Sequence, residues 1–202
     1  MRGWDVVANI TVDVQGEDSM MFQIPGTNIV EHQSKSSEIK SYKVCVTGIP
    51  DKEVDELESY LQNTDLEYDA VVTGAIRSDY QKTRIERMCE RLGKISFTPI
   101  WHNDSLSHLE SLCNEGFKVI ISSVSCEGLT KEWIGKEINT DNLLHLKDLS
   151  KKYGFNVDGE GDEYETIVID APHFKNEIHY EGKIHWDGVR GHILFETFST
   201  LD

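Results

Sequence analysis

From Asp5 to Trp101 the chain alternates β-branched runs with segments of helical periodicity, and no other feature limits its fold as tightly. DVVANITVDV (Asp5 to Val14) reads as a strand buried on both faces. A helix from about Asn28 to Ser37 follows, then the strand KVCVTG, then the helix DKEVDELESYLQN, in which Val54, Leu57, Tyr60 and Leu61 share one face. YDAVVTGAI is a second buried strand ending on glycine. A long helix from about Asp79 to Leu92 leads through Gly93 to the short strand ISFTPIW. This strand-helix-strand-helix order predicts a parallel sheet covered by helices.

From His102 the texture changes. An amphipathic helix carrying Leu106, Leu109 and Leu112 precedes the strand KVIISSV; Thr140 is placed to cap a helix that runs through Lys152 and stops at Gly154. ETIVIDAP, KIHW and HILFETF read as strands and hairpins, so the second half is α+β. The expected division is residues 1–101 and 102–202. Gly3, directly before the first strand, has the placing of a helix C-terminal glycine, which makes Met1 and Arg2 the end of a helix.

Composition excludes several classes. No window approaches a membrane span and the N-terminus lacks a basic-then-apolar leader, so a soluble cytoplasmic protein is expected, with no membrane partner. Cys45, Cys89, Cys113 and Cys126 form no CxxC pair, against a zinc ribbon or a disulfide framework. An excess of 36 acidic over 20 basic side chains, a formal charge of -16, opposes general nucleic-acid binding. A homo-oligomer stays open.

Two segments carry candidate chemistry. In VVTGAIRSDYQKTRIERMC a strand ends at Thr73-Gly74 before a helix, the position where open parallel sheets bind ligands. Gly74 admits close backbone approach, the hydroxyls of Thr73, Ser78 and Tyr80 can donate, and Arg84 can face a phosphate from the first turns of the helix. Alternatively, Arg84, Arg87 and Arg91 form a solvated stripe interleaved with Glu86 and Glu90. In DGEGDEYETIVIDAP, Asp158, Glu160, Asp162, Glu163 and Glu165 crowd a loop tightened by Gly159 and Gly161. Such a loop calls for a cation or is simply a solvated acidic turn. An EF-hand is excluded, because Glu163 and Ile169 stand where its sixth-position glycine and twelfth-position glutamate belong. TIVIDAP is a buried strand, so Glu165 and Thr166 at its mouth are held rigidly. Glu127 and Gly128 of EGLTKEWIG offer a second polar wall. The spacing of His173, His179, His185 and His192 fits no metal motif, so no metal ligands are assigned.

On VVTGAIRSDYQKTRIERMC, PIW, EGLTKEWIG and above all GEGDEYETIVIDAPHF, nearly the whole chain resembles the diphthine-ammonia ligases of the N-type ATP pyrophosphatase (PP-loop) superfamily. Asp162 stands where that family more often has glycine. The resemblance implies a Rossmann-like α/β domain (adenine nucleotide alpha hydrolase-like) with a parallel sheet, followed by a smaller α+β domain. It implies ATP with magnesium, ammonium as co-substrate, and translation elongation factor 2 bearing diphthine as partner. The diphthine carboxylate is adenylated and ammonia then displaces AMP to give diphthamide. Thr73, Gly74, Ala75, Ile76, Ser78, Tyr80 and Arg84 would border the nucleotide. Glu160, Glu163 and Glu165 would serve catalysis, with Glu127, Gly128, Gly161, Tyr164 and Thr166 toward the substrate. The acidic loop would then meet the trimethylammonium of diphthine, attracted also by the Tyr164 ring, and one glutamate would take a proton from ammonium.

The family begins with a strand, an SGGKDS phosphate loop and a helix, and no such sequence occurs between residues 1 and 202. In that superfamily the first strand is central, so a chain without it would carry a gap between two interior strands. A late start assignment and a truncated non-catalytic relative both account for this. A PP-loop enzyme that adenylates a tRNA base is a further alternative, which the acidic balance opposes.

Overall fold

The structure is a computed structural model and describes residues 3–16, 19–22 and 26–200. It divides into two compact units: residues through Thr27 with Ile39–His102, and Asn28–Glu38 with the residues from Asn103 onward. The expected helix end at Met1 and Arg2 lies outside the described residues; Gly3 itself has φ 72°.

In the first unit, β1 (Asn9–Val14) pairs in parallel with β2 (Ser41–Val46), Val12 opposite Val44. The strand is shorter than the expected Asp5–Val14, and it is buried on one face only. Val6 and Val7 are 61% and 49% exposed, and within β1 it is Val12 and Val14 that are buried. Thr11 and Asp13 occupy the opposite face, where Asp13 pairs with Lys43 at 3.0 Å. Two-sided burial requires apolar cover on both sides. Here α2 (Glu53–Gln62) and α3 (Asp79–Leu92) contribute Val54, Leu57, Leu61, Ile85 and Met88 to one core with the β1 and β2 valines, and a charge pair occupies the other face.

The short strands β3 (Ala70–Val72) and β4 (Ile95–Phe97) form a second parallel pair. Among the described residues β1 is laddered only to β2, and β3 only to β4, so the parallel strands form two separate ribbons. Helix α3 has well-defined ends. Ser78 accepts from the Gln81 amide at its start, and Gly93, in the left-handed region at φ 64°, closes it.

The second unit is built on a four-stranded antiparallel sheet, order β6-β5-β8-β7, from β5 (Lys118–Val124), β6 (Tyr164–Asp170), β7 (Ile178–Trp186) and β8 (Gly191–Thr200). β5 runs along β6 for its whole length. Its other flank is shared: residues 135–138 bond Val119 and Ile121, then β8 takes over at Ser123 and Val124. Helices α4 (Ser105–Asn114) and α5 (Thr140–Tyr153) send Leu109, Leu143 and Leu146 into a core with Ile121, Val124 and Trp133. The cap of α5 is Asn139, not Thr140, because the Asn139 side chain reaches the Asn142 amide.

Helix α1 (Val30–Ser37), which the sequence reading groups with the first domain, packs in the second unit. Ile29 just before it is buried in that core, Gln33 donates to the Val168 carbonyl at 2.8 Å, and the Ser36 carbonyl accepts from the Lys175 amide. No helix among the described residues is long and apolar enough to cross a membrane.

Candidate active site

In the first unit the predicted nucleotide residues gather where β3 runs out into α3. The Thr73 amide donates to the Phe97 carbonyl at 3.0 Å, and its hydroxyl meets that of Thr98 at 3.2 Å. Gly74 borders open space: a Cβ there would have no neighbour within 4 Å. Ala75 is half-buried, and Ile76 is buried with its carbonyl accepting from the His102 amide. Ser78 is engaged as the helix cap.

Arg84 sits over the Tyr80 ring, its Cζ 3.3 Å from the ring centroid, and pairs with Asp51, which sits at φ 66°. That guanidinium holds the Asp51 carboxyl below the usual range. The interleaved Arg/Glu stripe is thus only partly realised. Arg91 reaches back to Glu58 and Asp55 on α2, Lys82 pairs with Glu86, and Arg84 is committed to a carboxylate 33 residues away. Nothing in the spacing of PDKE marks Asp51 as that partner.

In the second unit the acidic loop is organised around Glu163, which is only 8% exposed. One carboxylate oxygen accepts from the Asn156 amide and side chain at 2.8 and 2.9 Å, the other from the Gly161 amide at 2.7 Å. Gly161 is required for this closure, since a Cβ would lie 2.8 Å from the Glu163 carboxylate. Tyr164 is also turned inward. Its hydroxyl donates to the Val157 carbonyl at 2.6 Å, and burial pushes its ionisation far up. The loop therefore consumes Glu163 and Tyr164 in its own construction, while Glu160 and Asp162 are exposed and Asp158 and Glu165 are half-buried.

Asp162 has φ 62°, the left-handed region that glycine enters most freely and that aspartate tolerates better than most residues. Ser125, just past β5, ties that turn down: its amide donates to the Glu163 carbonyl and its hydroxyl to the Asp162 carbonyl. The chain then passes to exposed Glu127 and to Gly128, where a Cβ would lie 2.4 Å from the Tyr153 ring.

Glu165 and Thr166, half-buried near the start of β6, are fixed by the β5 ladder. Burial, reinforced by the charges of Asp162 and Glu160, pushes the Glu165 carboxyl up to about 7. At neutral pH it is poised to accept and to release a proton. His108 on α4 is a neighbour that no sequence pattern singled out. Burial lowers its basicity, and the charge of Asp158 opposes that. Of the C-terminal histidines, His185 and His192 lie together, ring centroids 5.3 Å apart, while His173 packs on Phe117 and Phe174. Among the described residues no group of three His, Cys, Asp or Glu side chains is disposed to hold a metal.

Comparison with known proteins agrees with both halves. Residues 1–96 match the family described as the diphthamide synthase N-terminal domain, and residues 104–201 the diphthamide synthase C-terminal domain. The diphthine–ammonia ligase of Danio rerio is 31% identical over 201 residues, covering 91% of this chain and 78% of that protein. The Schizosaccharomyces pombe enzyme of the same name is 34% identical over 179 residues (80% of this chain, 29% of that protein), and that of Mus musculus 32% over 175 (80% and 65%). The chain belongs to the diphthamide synthase family, whose relatives are diphthine–ammonia ligases.

Proposed function

We propose that this chain carries out the ATP-dependent amidation of diphthine on translation elongation factor 2, with Glu165 as the base that frees ammonia from ammonium. The observation that carries the reading is Glu165 itself: a carboxyl held by a sheet, raised to about 7, beside two outward carboxylates that attract cations. The Glu165 carboxylate takes one proton from ammonium. The neutral nitrogen then attacks the activated acyl carbon, the oxygen joining that carbon to AMP departs with its electron pair, and the nitrogen gives up its second proton to water to leave the amide. Glu160 and Asp162 hold the positive charges of ammonium and of the trimethylammonium group nearby. Because Tyr164 is turned inward, these carboxylates, rather than the aromatic ring, supply the attraction.

ATP supplies the activation, by forming an acyl-adenylate and releasing pyrophosphate. The end of β3 fits the nucleoside half of that substrate, with Gly74 against open space and the hydroxyls of Thr73 and Thr98 beside it. Arg84 is held by Asp51 through one guanidinium nitrogen, and the charge it can offer a phosphate is partly offset there. Glu165→Gln is expected to lower ammonium-dependent amide formation by about 10²-fold or more while leaving KM for ATP unchanged. Wild-type rates in that variant would defeat the assignment.

The engagement of Arg84 by Asp51 favours a second reading, a module that binds diphthine-bearing elongation factor 2 without turnover. Retained binding of that factor, with no ATP-dependent AMP release, selects it.

A further inference from the structure

Directly opposed residues of antiparallel strands project from the same face with Cβ atoms about 5 Å apart. Ser123 on β5 is opposed on one side by Glu165 of β6 and on the other by His192 of β8, and His192 is opposed by His185 of β7. Glu165, Ser123, His192 and His185 therefore form one row across all four strands, roughly 14 Å long at about 4.8 Å per strand. The next row, Tyr164, Val124, Gly191 and Trp186, projects from the other face, and its first three members are buried. Along the polar row exposure rises from half-buried Glu165, Ser123 and His192 to exposed His185.

A bulge fixes this register. Ile121 faces Thr166 and Ser123 faces Glu165, so Ser122 is the extra residue, buried with its hydroxyl making no hydrogen bond. Without it the β5 partner of Glu165 would change and the row would be lost, because a slip of one residue exchanges the two faces of a strand.

We propose that Ser123, His192 and His185 form a proton outlet for Glu165, leading from the half-buried carboxyl to open solvent. This rests on the reading of Glu165 as a base; the proton conducted is then the one removed from ammonium. The Glu165 O–H donates to the Ser123 hydroxyl oxygen, directly or through one water, as the Ser123 hydroxyl proton passes to an imidazole nitrogen of neutral His192. The Glu165 O–H bond breaks and a His192 N–H bond forms. His185 or water takes the proton next, and no electrons are transferred. Glu165 is faced by Asp162 and Glu160 from the loop and by Ser123 from β5; both carboxylates hold the proton back. His192 is faced by Ser123 and by His185, and Asp187 at the hairpin turn feels the charge of His185. Imidazole is the side chain suited to relaying protons in this pH range.

The test is chemical rescue on the full chain. His192→Ala is expected to lower ammonium-dependent amide formation about tenfold or more in dilute buffer, leave KM for ATP unchanged, and recover on addition of free imidazole. Undiminished rates, or a loss that imidazole does not restore, overturn the outlet. A second measurement is independent of turnover: a 13C titration of the glutamate carboxyls in wild type and His192→Gln. Once His192 has taken the relayed proton it is a cation about 10 Å from Glu165, so its loss should move the upper part of the Glu165 titration up by a few tenths of a pH unit, and an unmoved titration overturns the coupling. A moved midpoint in a chain that forms no amide supports the outlet while removing the ligase reading, so the two failures are distinguishable.

Discussion

The two units solve strand pairing differently. In the second, β5 is flanked on both sides along most of its length and its side chains meet helices and strands in one core, so Ile121 and Val124 are almost wholly buried. In the first, the strands among the described residues form two ribbons, and Val72 and Ile95 on the second ribbon are 54% and 57% exposed. Two-stranded ribbons gain little stability by themselves and depend on what packs against them. The unit with the four-stranded sheet also carries the carboxyl raised by burial, because a side chain can be held half-buried against its preference only where the surrounding structure does not give way.

The sharpest way to break this contrast is native-state hydrogen exchange. Amides of Ile121 and Val124 should open only with the second unit as a whole, whereas those of Val71 and Val72 should exchange through local opening, at least 10³-fold faster. Comparable protection in the two strands would mean that the ribbons are bridged into one cooperative sheet.

The same division governs what sequence could reveal. Elements defined by their own residues were legible: α3, bounded by Ser78 and Gly93, and β5, built on the apolar triplet Val119-Ile120-Ile121, both fall where periodicity and caps put them. Elements whose character depends on distant cover were not. DVVANITVDV looks two-faced until Asp13 finds Lys43, and α1 looks like part of a strand-helix alternation until Gln33 finds Val168, 135 residues away. The candidate site follows the same rule. The run from Glu160 to Thr166 was visible as a cluster, but not that Glu163 turns inward to three donors while Glu165 stays available. The row through Ser123 and His192 depends on one bulged residue that no local pattern announces.

A second prediction sets a buried carboxylate of one unit against an exposed one of the other. Glu163→Ala strands the Asn156 amide, the Asn156 side chain and the Gly161 amide in a half-buried loop, and should cost about 2–4 kcal/mol in chemical denaturation of the second unit. Asp51→Ala breaks an ion pair whose acidic member is 73% exposed and well screened by solvent, and should leave the denaturation midpoint nearly unchanged. Equal effects would show that the loop is not organised around Glu163.

The smallest effect is also the one whose sign tells most about the perturbed residue. Glu165 has an ordinary value of 4.5, which the fold raises to about 7. Between these two values the unfolded chain has already released the proton that the folded chain still holds, so stability is greatest below about 4.5 and falls as pH rises toward 7. Glu165→Gln removes this titration. Its stability relative to wild type should therefore be flat below the window, climb through it, and level off above about 7. Full linkage would give about 3 kcal/mol. Because Glu165 remains partly open to solvent, the plateau should lie nearer 1–2 kcal/mol. Urea denaturation at pH 4, 6 and 8 measures the difference directly. A variant that instead loses stability at pH 8 would mean that the carboxylate has a cationic partner in the folded chain. In that case the strain at the mouth of β6 would disappear from the account, and with it the reason for a base at this position rather than at any other acid of the loop.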